Sequence, residues 1–511
     1  MNFNGLMEAS IGFDNQKYLE EQTRYILERA SQLGNKLYLE FGGKLMFDMH
    51  AARVLPGYDP NVKMRLLQHM KDKLDIIICI HAGDIERRKI RADFGISYDD
   101  ATLKLIDDLR EWGLEVCGVV ITRYEKHPSV IQFKRVLERH KIPVYEHHAI
   151  LGYPDNVAHI VSDEGYGSNP FIETKKPIVV VTGPGPGSGK MGTCLSQVYH
   201  EFKRGVQAGY AKFETFPIWN LPLKHPVNIA YEAATADILD FNQIDPFHLE
   251  AYNIKSVNYN RDVATFPVLK RILAKIMGDK LIYQSPTDMG VNRAGFAIVN
   301  DEVVQKAAIQ EILRRYFHYN CEYANGRTGR ETIDKMKIIM DELQLQPTDR
   351  KVVSYARNAA EDAKKRQKGH CQVYSGAAIE LKDGQIVVGR NSNLLHATSA
   401  VVLNAIKKLT EIPDRIDLLS PNIIESIGKL KKQLGVSEDP SLNLEECLIA
   451  LAISATNNPT AQLAMEKLND LSECEIHLTH MPTPGDDAGL RRLGVHLTSD
   501  PIFSSKNLFC K

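Results

Sequence analysis

Residues 183–189 of this chain hold four glycines and two prolines, Lys190 follows them, and the β-branched run 178–182 precedes them. Backbone that approaches a phosphate closely needs glycine, because a Cβ blocks the approach. A lysine at the end of such a loop supplies a positive charge. The first turn of a following helix supplies N–H groups that have no intrahelical partner. Gly183, Gly185, Gly187, Ser188 and Gly189 are therefore read as a phosphate cradle with Lys190 as its cation. The cofactor this predicts is ATP or another nucleotide with Mg²⁺. The partner it predicts is a phosphorylated small molecule.

Two residues set this loop apart from a standard Walker loop, G-x-x-x-x-G-K-[ST]. Counting back from Gly189 and Lys190, the first glycine should fall at position 184, which is Pro184. Met191 stands where the Mg²⁺-binding hydroxyl belongs, which leaves Thr193 or Ser188 to reach the metal from shifted positions. The dinucleotide pattern G-x-G-x-x-G also fails, because Gly183 and Gly185 would require glycine at Ser188. The competing explanation is a glycine-rich strand-to-helix turn that binds nothing.

Further candidates lie outside the loop. Gly42, Gly43 and Lys44 form a second glycine–lysine junction after a strand-like run, so Gly43 and Lys44 are assigned to the same ligand. Glu214 and Thr193 are the expected metal ligands. Asp237 and Asp262, with Lys190, are the expected catalytic groups, orienting a nucleophile or holding charge during phosphoryl transfer. Glu232, Asp240, His225 and His248 add carboxylates and imidazoles to the same region. A solvated helix face and Asx-turns explain these polar residues equally well.

The elements that must position these groups alternate in type. Residues 17–33, 61–74, 98–112, 129–140 and 190–205 have helical apolar spacing, and 226–241 is a further expected helix. Residues 36–41, 75–80, 115–122, 143–147, 178–182 and 210–216 are strand-like. Near-continuous apolar strands between amphipathic helices predict an α/β fold. Its sheet would be mainly parallel, Rossmann-like or P-loop-like, with helices on both faces. In such sheets ligands bind beyond the carboxyl ends of the strands. That rule gathers Gly42, Gly43, Lys44, His81, Asp84, Thr122, Arg123, the 183–190 loop and Glu214 into one candidate site.

Residues 258–292 read as polar loops, and helices are expected over 303–319, 332–343 and 351–368. Beyond these, Lys382-Asp383-Gly384 between apolar runs marks a hairpin, and helices with one further strand complete an α+β segment. The expected organisation is an α/β ligand-binding domain over 1–225, a mostly helical substrate or interaction domain over 226–369, and an α+β domain over 370–511.

Composition narrows the classes. The chain has 511 residues, with 63 Lys and Arg against 64 Asp and Glu. No net field draws it to nucleic acid or to a membrane surface, and neither is expected as a partner. The eight cysteines include no C-x-x-C pair, which favours a reducing compartment over a structural zinc site. The N-terminal residues show no basic start followed by an apolar core, and no apolar run approaches membrane-spanning length. The expected location is the cytoplasm. Assembly into a homo-oligomer stays open.

Several stretches carry a resemblance that covers nearly the whole chain: residues 39–45 (LEFGGKL), 50–58 (HAARVLPGY), 183–201, 208–228, 231–238 (YEAATADI), 245–252 (DPFHLEAY), 257–262 (VNYNRD) and 285–292 (SPTDMGVN). They resemble a bacterial family of about this size built on a domain of unknown function. The resemblance implies a cytoplasmic bacterial protein with an α/β, nucleotide-binding-like N-terminal part, and it supplies no activity. At motif level the loop is also similar to P-loop ligases of the dethiobiotin synthetase type. Those carry an enlarged loop before Gly-Lys and a lysine in the strand after the loop helix, as Lys212 does here; Met191 departs from their threonine. The leading expectation is an enzyme of phosphoryl transfer or ATP-dependent ligation. The alternatives are a non-catalytic phosphate- or nucleotide-sensing or assembly protein, and an NAD(P)-dependent oxidoreductase with Glu214 as its ribose acid.

Overall fold

A computed structural model describes residues 11–91, 95–370, 372–435 and 441–505. They fall into two compact units. One comprises the chain up to Thr235 with Asp240–Glu311, the other Ala236–Leu239 with the chain from Ile312 onward.

The first unit is built on six strands: β1 (Leu37–Phe41), β2 (Leu74–His81), β3 (Val116–Thr122), β4 (Val144–His147), β5 (Ile178–Thr182) and β6 (Gly209–Phe213). All pair in parallel, in the order β4-β3-β2-β5-β1-β6. Every residue of β5, and every residue of β2 before His81, is buried. Strands covered on both faces have no solvent side to carry polar residues, so their apolar runs do not alternate. The expected α/β class with a parallel sheet is the class observed.

Helices complete this layer: α1 (Asn15–Gln32), α2 (Tyr98–Glu111), α3 (Pro128–Arg139), α4 (Lys190–Lys203) and α5 (Asn260–Met277). Their termini follow local chemistry. Asp14 caps α1 by accepting from the Lys17 N–H, and Ser97 caps α2 by accepting from Asp100. Thr102, Leu105, Ile106 and Leu109 are the buried stripe of α2, at helical spacing. From β2 the chain continues to β3 on one side, and from β5 it continues to β6 on the other. Right-handed crossovers leaving in opposite directions cover opposite faces. A crevice therefore opens between the carboxyl ends of β2 and β5.

Three local expectations are corrected. Strand β6 ends at Phe213, so Glu214 lies just beyond it rather than within a strand running to Phe216. The helix expected over 226–241 stops at Ala234; a single turn (Ala236–Ile238) lies in its second half, and a short strand (Asn242–Ile244) follows. That strand pairs antiparallel with Val257–Tyr259, and the Asn242 side chain donates to the Asn228 carbonyl, which together fix the departure from the helix. Residues 260–277, within the expected polar loops, form α5. Its buried Val263, Phe266, Leu269, Leu273 and Met277 keep helical spacing, which the polar start and the internal Pro267 obscure.

The second unit holds a mixed sheet of β7 (Gly376–Glu380), β8 (Ile386–Arg390), β9 (Glu475–Leu478) and β10 (His496–Ser499), in the order β8-β7-β9-β10. The first two pairings are antiparallel and the last is parallel. Ala377 and Ile379 face a large cluster with Val401, Ile406 and Leu451, whereas Ala378 packs with Val352 and Ala356. This is the two-residue alternation of a strand buried on both faces. Arg350 is fully buried, and its guanidinium pairs with Glu475 and bonds Thr498 Oγ1 and the carbonyls of Ile476 and His496. Among the described residues, no helix is long and apolar enough to cross a membrane.

Candidate functional site

The carboxyl ends of the first unit's strands surround a cavity of about 720 Å³. Its wall takes Glu40 from β1, His81 and Asp84 from the end of β2, Thr122 and Arg123 from β3, and His147 and His148 from β4. The 186–193 stretch forms the wall at β5, Tyr210 and Lys212 come from β6, and Arg261 and Asp262 come from the first turn of α5. Of the groups gathered from the strand ends, His81, Asp84, Thr122, Arg123 and Lys190 share this wall. Arg123 holds a left-handed backbone (φ 45) at the rim, a conformation uncommon outside glycine.

The loop after β5 is pressed against its neighbours. A Cβ on Gly183 would lie 2.4 Å from the Cys79 carbonyl, and one on Gly185 would lie 2.3 Å from the Tyr98 hydroxyl. Packing alone therefore demands these two glycines, and neither lines the cavity. Gly187 (φ +75) and Gly189 (φ +87) are both left-handed, but only Gly187 would present a Cβ to open space. Gly189 is the residue before α4, and Thr122 Oγ1 ties the loop down by donating to the Ser188 carbonyl at 2.9 Å. Lys190 Nζ folds back to the Gly185 carbonyl at 3.3 Å and to Ser188 Oγ at 3.4 Å. A cation held by two long bonds is available to a stronger acceptor.

The hydroxyls expected to meet Mg²⁺ belong to residues that line the cavity, and both residues are largely buried. Thr193 is buried, and its Oγ1 accepts from Cys79 Sγ at 3.4 Å. Burial pushes the Cys79 thiol up to about 12, so it stays a neutral donor. Ser188 is also buried. Among the described residues no three His, Cys, Asp or Glu side chains are grouped to hold a metal ion.

Lys212 organises the wall opposite the loop. Its Nζ lies 2.7 and 2.8 Å from the two Asp262 oxygens and 3.2 Å from Glu214. Burial works against the ammonium, but Glu214 and Asp262, with Glu40 behind them, more than offset it and raise the lysine further. Glu214 is raised by burial and by Asp262 and Glu40, against the pull of Lys212. Tyr210 completes the network by donating to Glu40 at 2.6 Å.

The remaining assigned groups lie elsewhere. Glu214, outside the cavity wall, sits against Gly42, where a Cβ would lie 2.4 Å from its side chain. Gly43 and Lys44 belong to the turn after β1, where Lys63 Nζ donates to the Lys44 carbonyl and to Asp48. Asp237 belongs to the second unit and accepts from the Tyr319 hydroxyl at 3.0 Å. His225 caps the helix Pro226–Ala234 and pairs with Asp301; His248 meets Ser285.

Sequence reasoning passed over the β4 end of the cavity, where His147, Tyr153, Tyr166 and Asn169 line the wall. The rule that selected Thr122 and Arg123 after β3 would have selected His147 and His148 had it been carried one strand further. Tyr166 and Asn169 lie in an irregular stretch and carry no such signal.

These features define an α/β protein with a doubly wound parallel sheet and a cationic, glycine-walled cavity at its switch point. The chain belongs to the UPF0371 family: a domain described as "Domain of unknown function DUF1846, N-terminal" matches residues 11–344, and its C-terminal counterpart matches 348–509. A UPF0371 protein of Clostridium tetani (strain Massachusetts / E88) is 57% identical over 499 residues, covering 98% of this chain and 99% of the relative. Similar proteins of Clostridioides difficile (strain 630) and Clostridium botulinum (strain Loch Maree / Type A3) are each 56% identical, over 501 and 499 residues, with the same coverage.

Proposed function

We propose that this protein binds a phosphorylated small molecule, of which a nucleotide is the leading candidate, in the cavity above β2 and β5, and that it acts there in phosphoryl transfer or ATP-dependent ligation. One observation carries the reading. Lys190, held by two long loop contacts among the described residues, opens α4 beside the left-handed Gly187 on the wall of a cavity at the switch point of a parallel sheet. Phosphate bound there would meet unpaired N–H groups at the N-terminus of α4, the Lys190 ammonium and the Arg123 guanidinium. Lys212 is already neutralised by Asp262 and Glu214, which suits it to positioning that pair rather than to holding phosphate. Asp262 is a carboxylate on the cavity wall that could orient a nucleophile.

The groups expected to hold Mg²⁺ have partners within the chain. Met191 follows the lysine, Thr193 is bonded to Cys79, and Glu214 is turned toward Gly42 and Lys212. The same facts favour a second reading, a phosphate or nucleotide sensor without turnover. Calorimetry with ATP, GTP, inorganic phosphate and pyrophosphate, with and without Mg²⁺, tests the site against Lys190→Ala. Binding that survives the substitution unchanged would remove the loop from the reading. Product after long incubation with ATP separates the enzyme from the sensor.

A further inference from the structure

The cavity wall is divided by charge. Arg87 and Lys89 follow β2, Arg123 follows β3 and Lys190 closes the loop after β5, and these four cations line one side. Asp84 lies among them, but it is buried and paired with Arg87, so this side keeps an excess of positive charge. His81 shows how closely the cations stand: burial lowers its proton affinity, and Arg123, Arg87 and Lys89 lower it further against the pull of Asp84. The other carboxylates that line the cavity among the described residues, Glu40 and Asp262, stand together at β1 and α5. Glu40 pairs in register with Lys212 of β6, so it shares a face of the sheet with Lys212 and with Tyr210 two residues earlier. Tyr210 donates to Glu40 Oε2, and Lys212 holds both Asp262 oxygens. Both acids keep accessible surface, and the Asp262 side chain is 26% exposed. Glu40 Oε1 and a second lone pair on each Asp262 oxygen are left for a ligand.

One small molecule can touch both sides. Glu40 pairs in register with Val181 of β5 as well, which puts it one interstrand spacing, about 5 Å, from the strand that feeds the loop. Burial raises the thiols of Cys79 and Cys194, and Lys190 and Glu40 act on both thiols in opposite senses. At the rim, the Tyr153 hydroxyl is raised by burial and by Glu40 and lowered by Arg123, so it stands between the two sides. A phosphate held by Lys190 therefore leaves the rest of its molecule beside Glu40 and Asp262. Ionised carboxylates accept hydrogen bonds and donate none. A second phosphate or a carboxylate there would meet like charge. A ligand ammonium would meet Lys212 and Arg261, which already stand beside the acids. Hydroxyl groups, which are neutral donors, meet neither objection.

We propose that the β1–β6 side of the cavity is a hydroxyl-recognition subsite, in which Glu40 and the Lys212-anchored Asp262 accept hydrogen bonds from the sugar or polyol that carries the phosphate. The ligand class is then a phosphorylated sugar, free or as the ribose of a nucleotide, oriented with its phosphate toward Lys190 and its hydroxyls toward Glu40. The inference rests on the phosphate reading of the loop, which supplies the other end of the same molecule.

The test compares ribose 5-phosphate with methyl phosphate, and AMP with its analogue lacking both ribose hydroxyls, by calorimetry on the full chain. In at least one pair the member that carries the hydroxyls is expected to bind about tenfold more tightly. A difference between AMP and its analogue assigns the hydroxyls to a nucleotide, and a difference confined to the first pair assigns them to a free sugar phosphate. Glu40→Gln and Asp262→Asn should each reduce the preference several-fold while leaving methyl phosphate bound no more weakly, whereas Lys190→Ala should weaken every probe. Glu40→Gln keeps the shape of the side chain and an acceptor for Tyr210, so it carries the test if Asp262→Asn fails to fold. Equal binding within both pairs, or a preference that Glu40→Gln leaves unchanged, would overturn the hydroxyl subsite and leave the phosphate site standing. Failure of every phosphorylated probe to bind the wild-type chain would overturn both.

Discussion

Thr122 Oγ1 donates to the Ser188 carbonyl at 2.9 Å, and a Cβ placed on Gly189 would lie 2.7 Å from that same hydroxyl. The end of β3 thus sets both the position of the loop after β5 and the residue type that closes it. Gly189→Ala meets a left-handed φ and a collision with Thr122; Gly187→Ala meets only the left-handed φ. The expected losses are about 3 kcal/mol and about 1 kcal/mol. Urea unfolding of the two variants checks the order. Equal losses would mean that Thr122 does not hold the loop.

Among the described residues Lys190 makes two long loop contacts, so its removal should barely touch folding. Lys190→Met is expected to keep stability within about 0.5 kcal/mol. Affinity for pyrophosphate should fall roughly 10- to 100-fold, as for the loss of a charge-assisted hydrogen bond. Thermal unfolding in the absence and presence of pyrophosphate reads both quantities. A large loss of stability without ligand would show that the lysine is structural.

The fold class was legible because the evidence for it is distributed. Runs such as 76–80 and 178–182 carry their burial in composition, and the residues after β2, β3 and β5 could be placed at one edge of a sheet without knowing strand order. Pairings made across long separations left less trace. Lys212 and Asp262 lie 50 positions apart, and nothing near either marks the other. Asp262 was singled out for its type, within a segment that reads as loop because NYNRD is dense in side chains that also form turns. Gly183 and Gly185 mislead in the other direction. They look like ligand contacts, and the structure gives them to the Cys79 carbonyl and the Tyr98 ring. A glycine pattern records close approach without recording what approaches.

His147 sets a pH dependence whose sign follows from its depressed proton affinity. Its pKa is about 4 in the fold, against about 6.5 in an unfolded chain. Between these values the unfolded state binds the proton and the folded state does not, so stability rises with pH. The contribution is present in full above about pH 6.5 and is lost as pH falls toward 4, a change of order 3 kcal/mol. His147→Gln should flatten urea midpoints measured from pH 4.5 to 7 relative to wild type. Parallel profiles would place the histidine in a solvated setting.

Lys212 bridges Asp262 and Glu214, and its loss should be costlier than the loss of either acid. Lys212→Met leaves two carboxylates facing each other in a half-buried wall, and losing the charge-assisted bonds of this half-buried lysine should cost about 1.5–3 kcal/mol. Glu214→Gln keeps the Lys212–Asp262 pair at 2.7 Å and relieves a carboxylate already raised by burial. It should therefore cost less than about 1.5 kcal/mol. The sign with pH also separates this site from His147. The lysine is raised in the fold, so its contribution is fully present below its unfolded value of about 10.4 and is lost only as pH rises beyond that. The penalty of Lys212→Met should thus stay constant from pH 6 to pH 9 in urea unfolding. A penalty that shrinks over this range would show that the ammonium is not held by Asp262 and Glu214, and Asp262 would then be free to serve the ligand directly.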